Sequence, residues 1–284
     1  MKTVCIAGAT GYLGRHLCAE YARRGWYVTA LVRSAARAGD LAADTLVEAE
    51  ATRAETLRGS MAGADLVISA LGITRQADGL GYWDVDFGAN LNLLREAEAA
   101  GVGRFAYVHV LNADKMPKVP LVAAKAAFVA ELQASSVPST VIAPSGYFSD
   151  MGDVLSMAGS GRVWLFGDGS HRINPIHGAD LAAACAEATG AGQAWLDVGG
   201  PEVFTHATLA ALAFDVLGRP ARITRLPDSL RRAALALLPL APRRIGGPAR
   251  FFLSAMGHDM VGQCRGTHRL GDQFRRDLQA APAK

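Results

Sequence analysis

Two groups of residues in this sequence carry chemistry by their type and spacing. The first is Gly8, Gly11 and Gly14 in "VCIAGATGYLGRHL", a GxxGxxG run that follows an apolar, strand-like stretch and opens a helical pattern. Glycines at such a turn let the backbone approach a pyrophosphate, whose charge meets the N–H groups and dipole of a helix N-terminus. Thr10 adds a hydroxyl donor. A tight turn with no ligand is the alternative reading, and the agreement of strand, helix and place in the chain favours the phosphate site. The second is Lys125 in "VPLVAAKAAFVAELQ". If a helix opens at Pro120, Lys125 shares a stripe with Leu121, Val122, Phe128, Val129 and Leu132. An ammonium on an apolar face is costly to bury alone, which raises the question of what it touches. On this view Lys125→Met keeps the apolar stem and leaves the fold intact.

The second strand-like run ends "TALVRSAAR". A dinucleotide site built for NAD carries an acidic residue about 20 positions beyond the glycines, on the ribose 2'-hydroxyl. Here Arg33, with Ser34 beside it and Arg37 a turn later, offers charge-assisted hydrogen bonds to a 2'-phosphate instead, so NADP(H) is favoured over NAD(H). An exposed arginine at the start of a solvated helix is the competing reading. Glu50, ending the third strand, is a candidate neighbour of the adenine or else a solvated carboxylate.

The elements that must position these groups alternate. Apolar runs "TVCIAGA", "YVTALV", "TLVEAE", "DLVISAL", "RFAYVHV" and "STVIAP" trade places with helical patterns at about Tyr12 to Arg24, near Val85 to Ala100 and around Lys125. This rhythm predicts an α/β fold, a doubly wound parallel sheet with helices on both faces. Later, a helix is expected to begin around Gly178, "WLDVGG" reads as a late strand, and Thr205 caps "HATLAALAFDVLG", which Gly218 ends. The expected organisation is a nucleotide-binding core over 1–145 and a substrate and lid region over 146–284, with the last core strands interleaved at about 173–200.

Composition excludes several classes. Half of the 284 residues are hydrophobic and 19% are charged, which suits a well-buried globular chain rather than a disordered one. Cys5, Cys18, Cys185 and Cys264 are scattered without CxxC spacing, so neither a disulfide framework nor a zinc site is expected, and a cytoplasmic location fits. No stretch approaches the roughly 18 apolar residues of a spanning helix, and "MKTVCIAGAT" has no signal-peptide pattern. HExxH and GxSxG are absent, and no His or Cys spacing suggests a metal. Residues 1–200 hold 16 Lys and Arg against 20 Asp and Glu, a balance of −4, whereas residues 201–284 hold 13 against 6, a balance of +7. The C-terminal arginines have few aromatic companions, which argues against nucleic acid.

With these residues in hand, the chain resembles the short-chain dehydrogenase/reductase superfamily in its extended or atypical branch. The resemblance runs through "GATGYLG", "LVR", "SALG", "AYVHVLNAD", "AAKAAFVAEL", "VIAPSGYFSDM", "INPIHGADLA" and "VGGPEVFTHATLA", from residue 5 to about 210. Its closest character is that of NADP-binding reductases similar to isoflavone reductases, divinyl-chlorophyllide reductases and NmrA-like proteins. The resemblance implies a Rossmann fold with Lys125 reaching the ribose and nicotinamide end of the cofactor, so that its partner is expected to be a bound ligand. It extends the cofactor contacts to Tyr12 and Leu13, to Ala70, Leu71 and Gly72, and to Pro144, Gly146 and Phe148.

Two departures matter. Ordinary members carry a proton-donating tyrosine four residues before the lysine and a serine at the end of the preceding strand; here those places hold Leu121 and His109. Either another acid serves, or the chain binds its cofactor without turnover. His109 is a candidate acid because an imidazole gives a proton near neutral pH, and a structural histidine is its alternative. Lys125, directly or through water, and Tyr147, otherwise an aromatic lining the pocket, are the other candidates. His177 reads as a pocket residue, Asp180 as a helix-start structural residue, and His171 as bordering the same loop.

The function expected from all this is an NADPH-dependent reductase of a small hydrophobic carbonyl or conjugated alkene. A non-catalytic NADP(H)-binding sensor or scaffold of the NmrA-like kind is the alternative, and sugar-nucleotide isomerase or dehydratase activity is a weaker third. Last, residues 228–253 bracket an apolar run from Ala233 to Ala241 with Arg231 and Arg232 on one side and Arg243 and Arg244 on the other. Two readings stand: an amphipathic lid that buries Leu235, Leu237 and Leu238, or a peripheral membrane contact.

Overall fold

The computed structural model describes residues 1–73 and 79–280, apart from the side chains of Arg243 and Arg244, so these two members of the arginine bracket lie outside the described residues. Along the first half the elements are β1 (Thr3–Ala7), α1 (Tyr12–Arg23), β2 (Tyr27–Val32), β3 (Thr45–Glu48), β4 (Leu66–Ser69), α2 (Asn90–Ala99), β5 (Arg104–Val108), α3 (Pro120–Ala134) and β6 (Ser139–Pro144). There follow α4 (Gly152–Gly159), β7 (Val163–Phe166), β8 (Arg172–Ile173), α5 (Gly178–Gly190), β9 (Trp195–Gly199), β10 (Phe204–Thr205) and α6 (His206–Val216). The chain ends with β11 (Ile223–Leu226), α7 (Asp228–Leu237), α8 (Arg243–Ala255), β12 (Gln263–Cys264) and α9 (Leu270–Ala280).

Eight strands form one sheet in the order β12-β9-β6-β5-β4-β1-β2-β3, and β6-β5-β4-β1-β2-β3 is the doubly wound order with its reversal between β1 and β4. The pairs β1·β2, β1·β4, β2·β3, β4·β5 and β5·β6 are parallel. Sheets of this kind are covered on both faces, which is why β4 reads "LVIS" with every residue buried. On one face Cys5, Val67, Phe105 and Tyr107 pack with Leu93 and Leu94 of α2 and with Phe128 and Leu132 of α3. On α1 the buried Tyr21 hydroxyl meets Thr189 of α5 at 2.8 Å, which ties those two helices together. Cys5, Cys18 and Cys185 are buried, and burial pushes the Cys18 thiol up to about 11, away from reactivity.

The chain divides into two compact units, Met1–Ala143 with Ala182–Leu196, and Pro144–Leu181 with Asp197–Lys284. The second has its own core: Leu155 and Ala158 of α4, Val163 and Leu165 of β7, Leu209 and Phe214 of α6, and Leu270 and Phe274 of α9. Its small pairings are parallel β7·β11 and antiparallel β8·β10. As the sequence requires, Thr205 caps α6, its hydroxyl accepting from the Thr208 N–H at 3.0 Å, and Gly218 follows in the left-handed region at φ 64°. Among the described residues no helix is long and apolar enough to cross a membrane.

One element differs from the sequence reading. The helix expected near Val85 to Ala100 begins with a π turn over Trp83–Ala89 before α2. The wider turn carries Asp86 into the interior, and the buried Asn90 amide donates to the Val85 and Asp86 carbonyls, both at 3.1 Å. Asn90 also accepts from the Ser69 hydroxyl, so the end of β4 and the π turn are locked to one another.

Candidate active site

The glycine turn is built by close approach. Gly8, at φ 79°, lets β1 turn, and the Gly11 N–H donates back to its carbonyl at 3.0 Å. A Cβ on Gly8 would stand 2.9 Å from the carbonyl carbon and oxygen of Ala70. One on Gly14 would collide with the Gly8 carbonyl oxygen and stand 2.7 Å from the Ala9 Cα, so α1 can seat on the turn only without a side chain there. No side chain caps α1 at Gly11, and its first turn holds no acidic residue, which leaves this helix end to an anion. Gly14→Ala is therefore expected to cost about 1–3 kcal/mol of stability and to weaken NADPH binding, read by thermal denaturation and by titration. Gly11→Ala is the milder control, because a Cβ there would meet the Gly8 carbonyl oxygen at 3.2 Å.

A cavity of about 390 Å³ opens beside this turn at the carboxyl ends of β1 to β4. Gly8, Thr10 and Gly11 form one side, and Arg33, Ser34 and Arg37 follow β2. Glu50 and Thr52 lie past β3, and Ala70, Leu71 and Gly72 lie past β4. Apolar Leu57, Val85 and Leu93 complete the lining, a volume and mixture that suit a small-molecule pocket. Arg15 shapes the rim by donating to the Thr10, Ala38 and Asp40 carbonyls. Glu50 accepts from the Thr52 hydroxyl at 3.1 Å. Tyr12, Leu13 and Gly14 are not part of the lining: Leu13 is buried, Gly14 seats the helix, and Tyr12 meets His16 edge-on.

Lys125 meets protein groups, which the sequence reading did not foresee beside the ligand it expected. Its ammonium lies 3.3 Å from Oδ1 of the fully buried Asp86 and donates to the Tyr107 hydroxyl at 3.3 Å and the Val108 carbonyl at 3.1 Å. Asp86 Oδ2 accepts from the Ile73 N–H at 3.3 Å. Burial drives the Asp86 carboxyl above the usual range, with the Lys125 charge opposing it, and burial pushes Tyr107 up to about 12. Gly72 joins this cluster to the cavity: a Cβ there would stand 2.7 Å from Asp86 Oδ1 and 3.2 Å from Lys125 Nζ.

His109 lies two residues beyond Tyr107, its ring centroid 6.2 Å from that ring and 5.8 Å, edge-on, from Trp195. It is 5% exposed, and its Nδ1 has no hydrogen-bond partner among the described residues. Burial, and then the nearby Lys125 charge, lowers its pKa to about 3. The expected proton transfer near neutral pH is therefore not open to an imidazolium at this place; the ring is neutral there.

The remaining sequence candidates fall in the second unit. The Tyr147 N–H donates to Asp150 Oδ2 at 3.2 Å, and Tyr147 bridges Ile176. Gly146 has φ 152°, and Phe148 is buried with its ring edge-on to His177 at 5.6 Å. His177 stacks on His268 at 4.1 Å. Asp180 accepts from the Thr267 and His268 N–H groups and pairs with the His268 ring at 2.8 Å, so it pins the segment before α9 as well as opening α5. His171 and Arg172 both meet Asp259. Pro144, Gly146 and Phe148 are not in the lining of the cavity.

Residues 8–190, well over half of the chain, match the family described as NAD(P)H-binding. The chain belongs to the NAD(P)H-binding family. The divinyl chlorophyllide a 8-vinyl-reductase of Oryza sativa subsp. indica is 30% identical over 261 residues, covering 83% of this chain and 64% of that protein. The chain thus spans less than two thirds of the length of that relative. Photosystem II assembly factor Ycf39 of Synechocystis sp. is 27% identical over 235 residues, covering 81% of this chain and 72% of that protein. Among solved structures, the NADPH-dependent quinone oxidoreductase of Escherichia coli, complexed with NADPH, aligns at a TM-score of 0.75 and 21% identity over 97% of this chain and 99% of that one. An isoflavone reductase aligns at 0.75 and 18% over 98% and 99%. These two share the fold.

In this NAD(P)H-binding chain the residues fit a dinucleotide: an uncapped helix end behind glycines that admit no Cβ, arginines past β2, and a glycine at the lysine. The sequence reading missed Asp86 and Tyr107. A signal existed in "YWDVDFGAN", where an acid sits inside an apolar run, but its burial depends on the π turn.

Proposed function

We propose that this chain is an NADPH-dependent reductase of a small hydrophobic carbonyl or conjugated alkene, working in a reducing compartment such as the cytoplasm. The observation that carries the reading is the Lys125 ammonium, fixed by buried Asp86 and by Tyr107 and lying beside Gly72 of the cavity lining. The bound cofactor supplies the hydride. The glycine turn and the α1 N-terminus hold the pyrophosphate, Arg33 and Ser34 hold the 2'-phosphate, and Lys125 orients the ribose while its positive charge favours developing negative charge nearby. With Leu121 in place of a tyrosine and His109 neutral, the proton reaches the product from Lys125 Nζ, from Tyr147 or from water.

Non-catalytic NADP(H) sensing is the second reading, favoured by the internal pairing of Lys125 and the low pKa of His109. Following NADPH absorbance with quinones, enones and aldehydes, beside calorimetry of NADP+ binding, separates the two. Consumption of NADPH with any of them carries the reductase; tight binding with no turnover carries the sensor.

His109→Phe tests the imidazole. With the ring neutral, turnover and NADPH affinity are both expected to change little, and the activity of the wild type is expected to show no step near pH 6.5 from this group; a marked fall in turnover would return the imidazole to the chemistry. Because its folded pKa lies below its unfolded value, the unfolded chain takes up the proton first as pH falls below about 6.5, and wild type loses about 1.4 kcal/mol per pH unit from this site. The phenylalanine variant lacks that loss, so its melting temperature should gain on wild type between neutral pH and about pH 4.5. Parallel melting curves across that range would retire the buried neutral imidazole.

A further inference from the structure

The segment from Arg219 to Met256 holds eight arginines and one acidic residue, Asp228. Within it α7 and α8 form a hairpin through a short turn at Leu238–Leu240. Arg231 pairs with Asp228 at 2.6 Å and donates to the Leu253 carbonyl at 2.9 Å, fastening one helix to the other. Gly246 passes so near the turn that a Cβ would stand 2.8 Å from the Leu238 carbonyl oxygen. Leu235, Leu238, Phe251 and Leu253 are half-buried, while a second set of apolar side chains points outward. Leu230 and Leu237 lie seven residues apart on one stripe of α7; Ile245, Phe252 and Met256 continue a stripe along α8; all five are exposed. Leu237 is 64%, Ile245 65% and Leu240, on the connecting turn, 85% exposed, and α7 buries no residue at all. Of the three leucines that a lid would bury, Leu237 faces out, and Leu235 and Leu238 are half-buried.

We infer that the α7–α8 hairpin is a docking surface for an anionic membrane, lying in the plane of the interface with its exposed leucines down and Arg232 among the head groups, in the field of the basic stretch around it. Charge selects this occupant. Exposed aliphatic stripes on short helices, set in a strongly basic stretch, match a helix pair that enters the boundary between head groups and acyl chains. A second copy of the chain is disfavoured, because a two-fold contact would set the same eight-arginine segment against itself. An acidic protein is disfavoured because the exposed residues are chiefly leucine and isoleucine, without the tyrosine and tryptophan anchors that dominate protein interfaces.

The test uses the full-length protein, sedimented with phosphatidylcholine vesicles and with phosphatidylcholine/phosphatidylglycerol vesicles, and its mass in solution without lipid. Pelleting is expected only with phosphatidylglycerol and is expected to fade as salt rises. Leu237→Asp with Leu240→Asp should reduce vesicle affinity by about tenfold or more, with NADPH affinity and melting temperature unchanged, because both side chains are already exposed. Arg232→Gln, at an exposed position, should weaken it several-fold and stands in if the leucine variant fails to fold. Protein that stays in the supernatant with every lipid overturns the proposal, as does pelleting that ignores these variants. A dimer without lipid that the leucine variant makes monomeric, or retention on polyglutamate beads without vesicle binding, gives the face to another occupant and overturns it equally.

Discussion

Lys125→Met is expected to lower the stability of the folded chain by about 3–5 kcal/mol at neutral pH, because it strands a buried carboxylate. On the sequence alone this substitution looked harmless, since methionine keeps the apolar stem. Asp86 changes the outcome: its side chain is fully buried, and Lys125 is the cation that faces it. The sign of the pH dependence follows from the raised pKa of Asp86, caused first by burial and opposed by Lys125. Without the lysine that pKa rises further. A carboxyl whose folded pKa exceeds its unfolded value protonates first in the folded state, so the variant regains stability as pH falls toward the ordinary carboxylate range. The deficit against wild type should be largest at about pH 7.5 and smaller at about pH 5, measured by urea titration. Asp86→Asn alone should also destabilise, by taking the counter-ion from the ammonium, whereas the double variant should recover much of the loss, as two neutral groups replace two charges. Strict additivity of the two single effects would show that the pair does not act as a unit.

What was legible in the sequence was what periodicity and turn chemistry fix locally. The parallel sheet follows from apolar runs too uniformly buried to be one-sided, and the tight strand-to-helix turn from glycines at Gly8 and Gly14, where a Cβ meets backbone. The Thr205 cap and the helix start at Gly178 likewise follow from neighbours in the chain. The lysine was visible but its counter-ion was not, because 39 residues separate Asp86 from Lys125 and only a π turn carries that carboxylate inward. His109 was visible as a residue type, while its neutrality comes from burial among Tyr107, Trp195 and the Lys125 charge, which no local pattern encodes. The arginine bracket suggested an amphipathic hairpin, yet which way its leucines face depends on Arg231 reaching across to Leu253 and on Gly246 passing close to Leu238.

Arg33→Ala should remove most of the preference for NADPH over NADH, weakening NADPH binding by about 1.5–3 kcal/mol, roughly ten- to more than a hundredfold, with little effect on NADH. Arg33 follows directly on β2, lines the cavity and is exposed, in the place from which a carboxylate would receive a ribose hydroxyl if the site were built for NADH. The nearby acid Glu48 is occupied elsewhere, accepting from the Ala35 N–H at 2.6 Å, and so shapes the loop that presents Arg33 and Ser34. Glu50 also lines the cavity, and its contact with Thr52 holds it past β3. Arg37 provides a second cation on the same rim, so the single variant should keep a remnant of the preference that Arg33→Ala/Arg37→Ala erases. Because the contact is exposed, the preference should also shrink as ionic strength rises, while NADH affinity, which depends on the glycine turn and the apolar lining, moves less. Calorimetric titration of both cofactors at two salt concentrations reads all three effects. Equal weakening of NADPH and NADH in the Arg33 variant would mean that this arginine shapes the pocket without reading the 2'-phosphate.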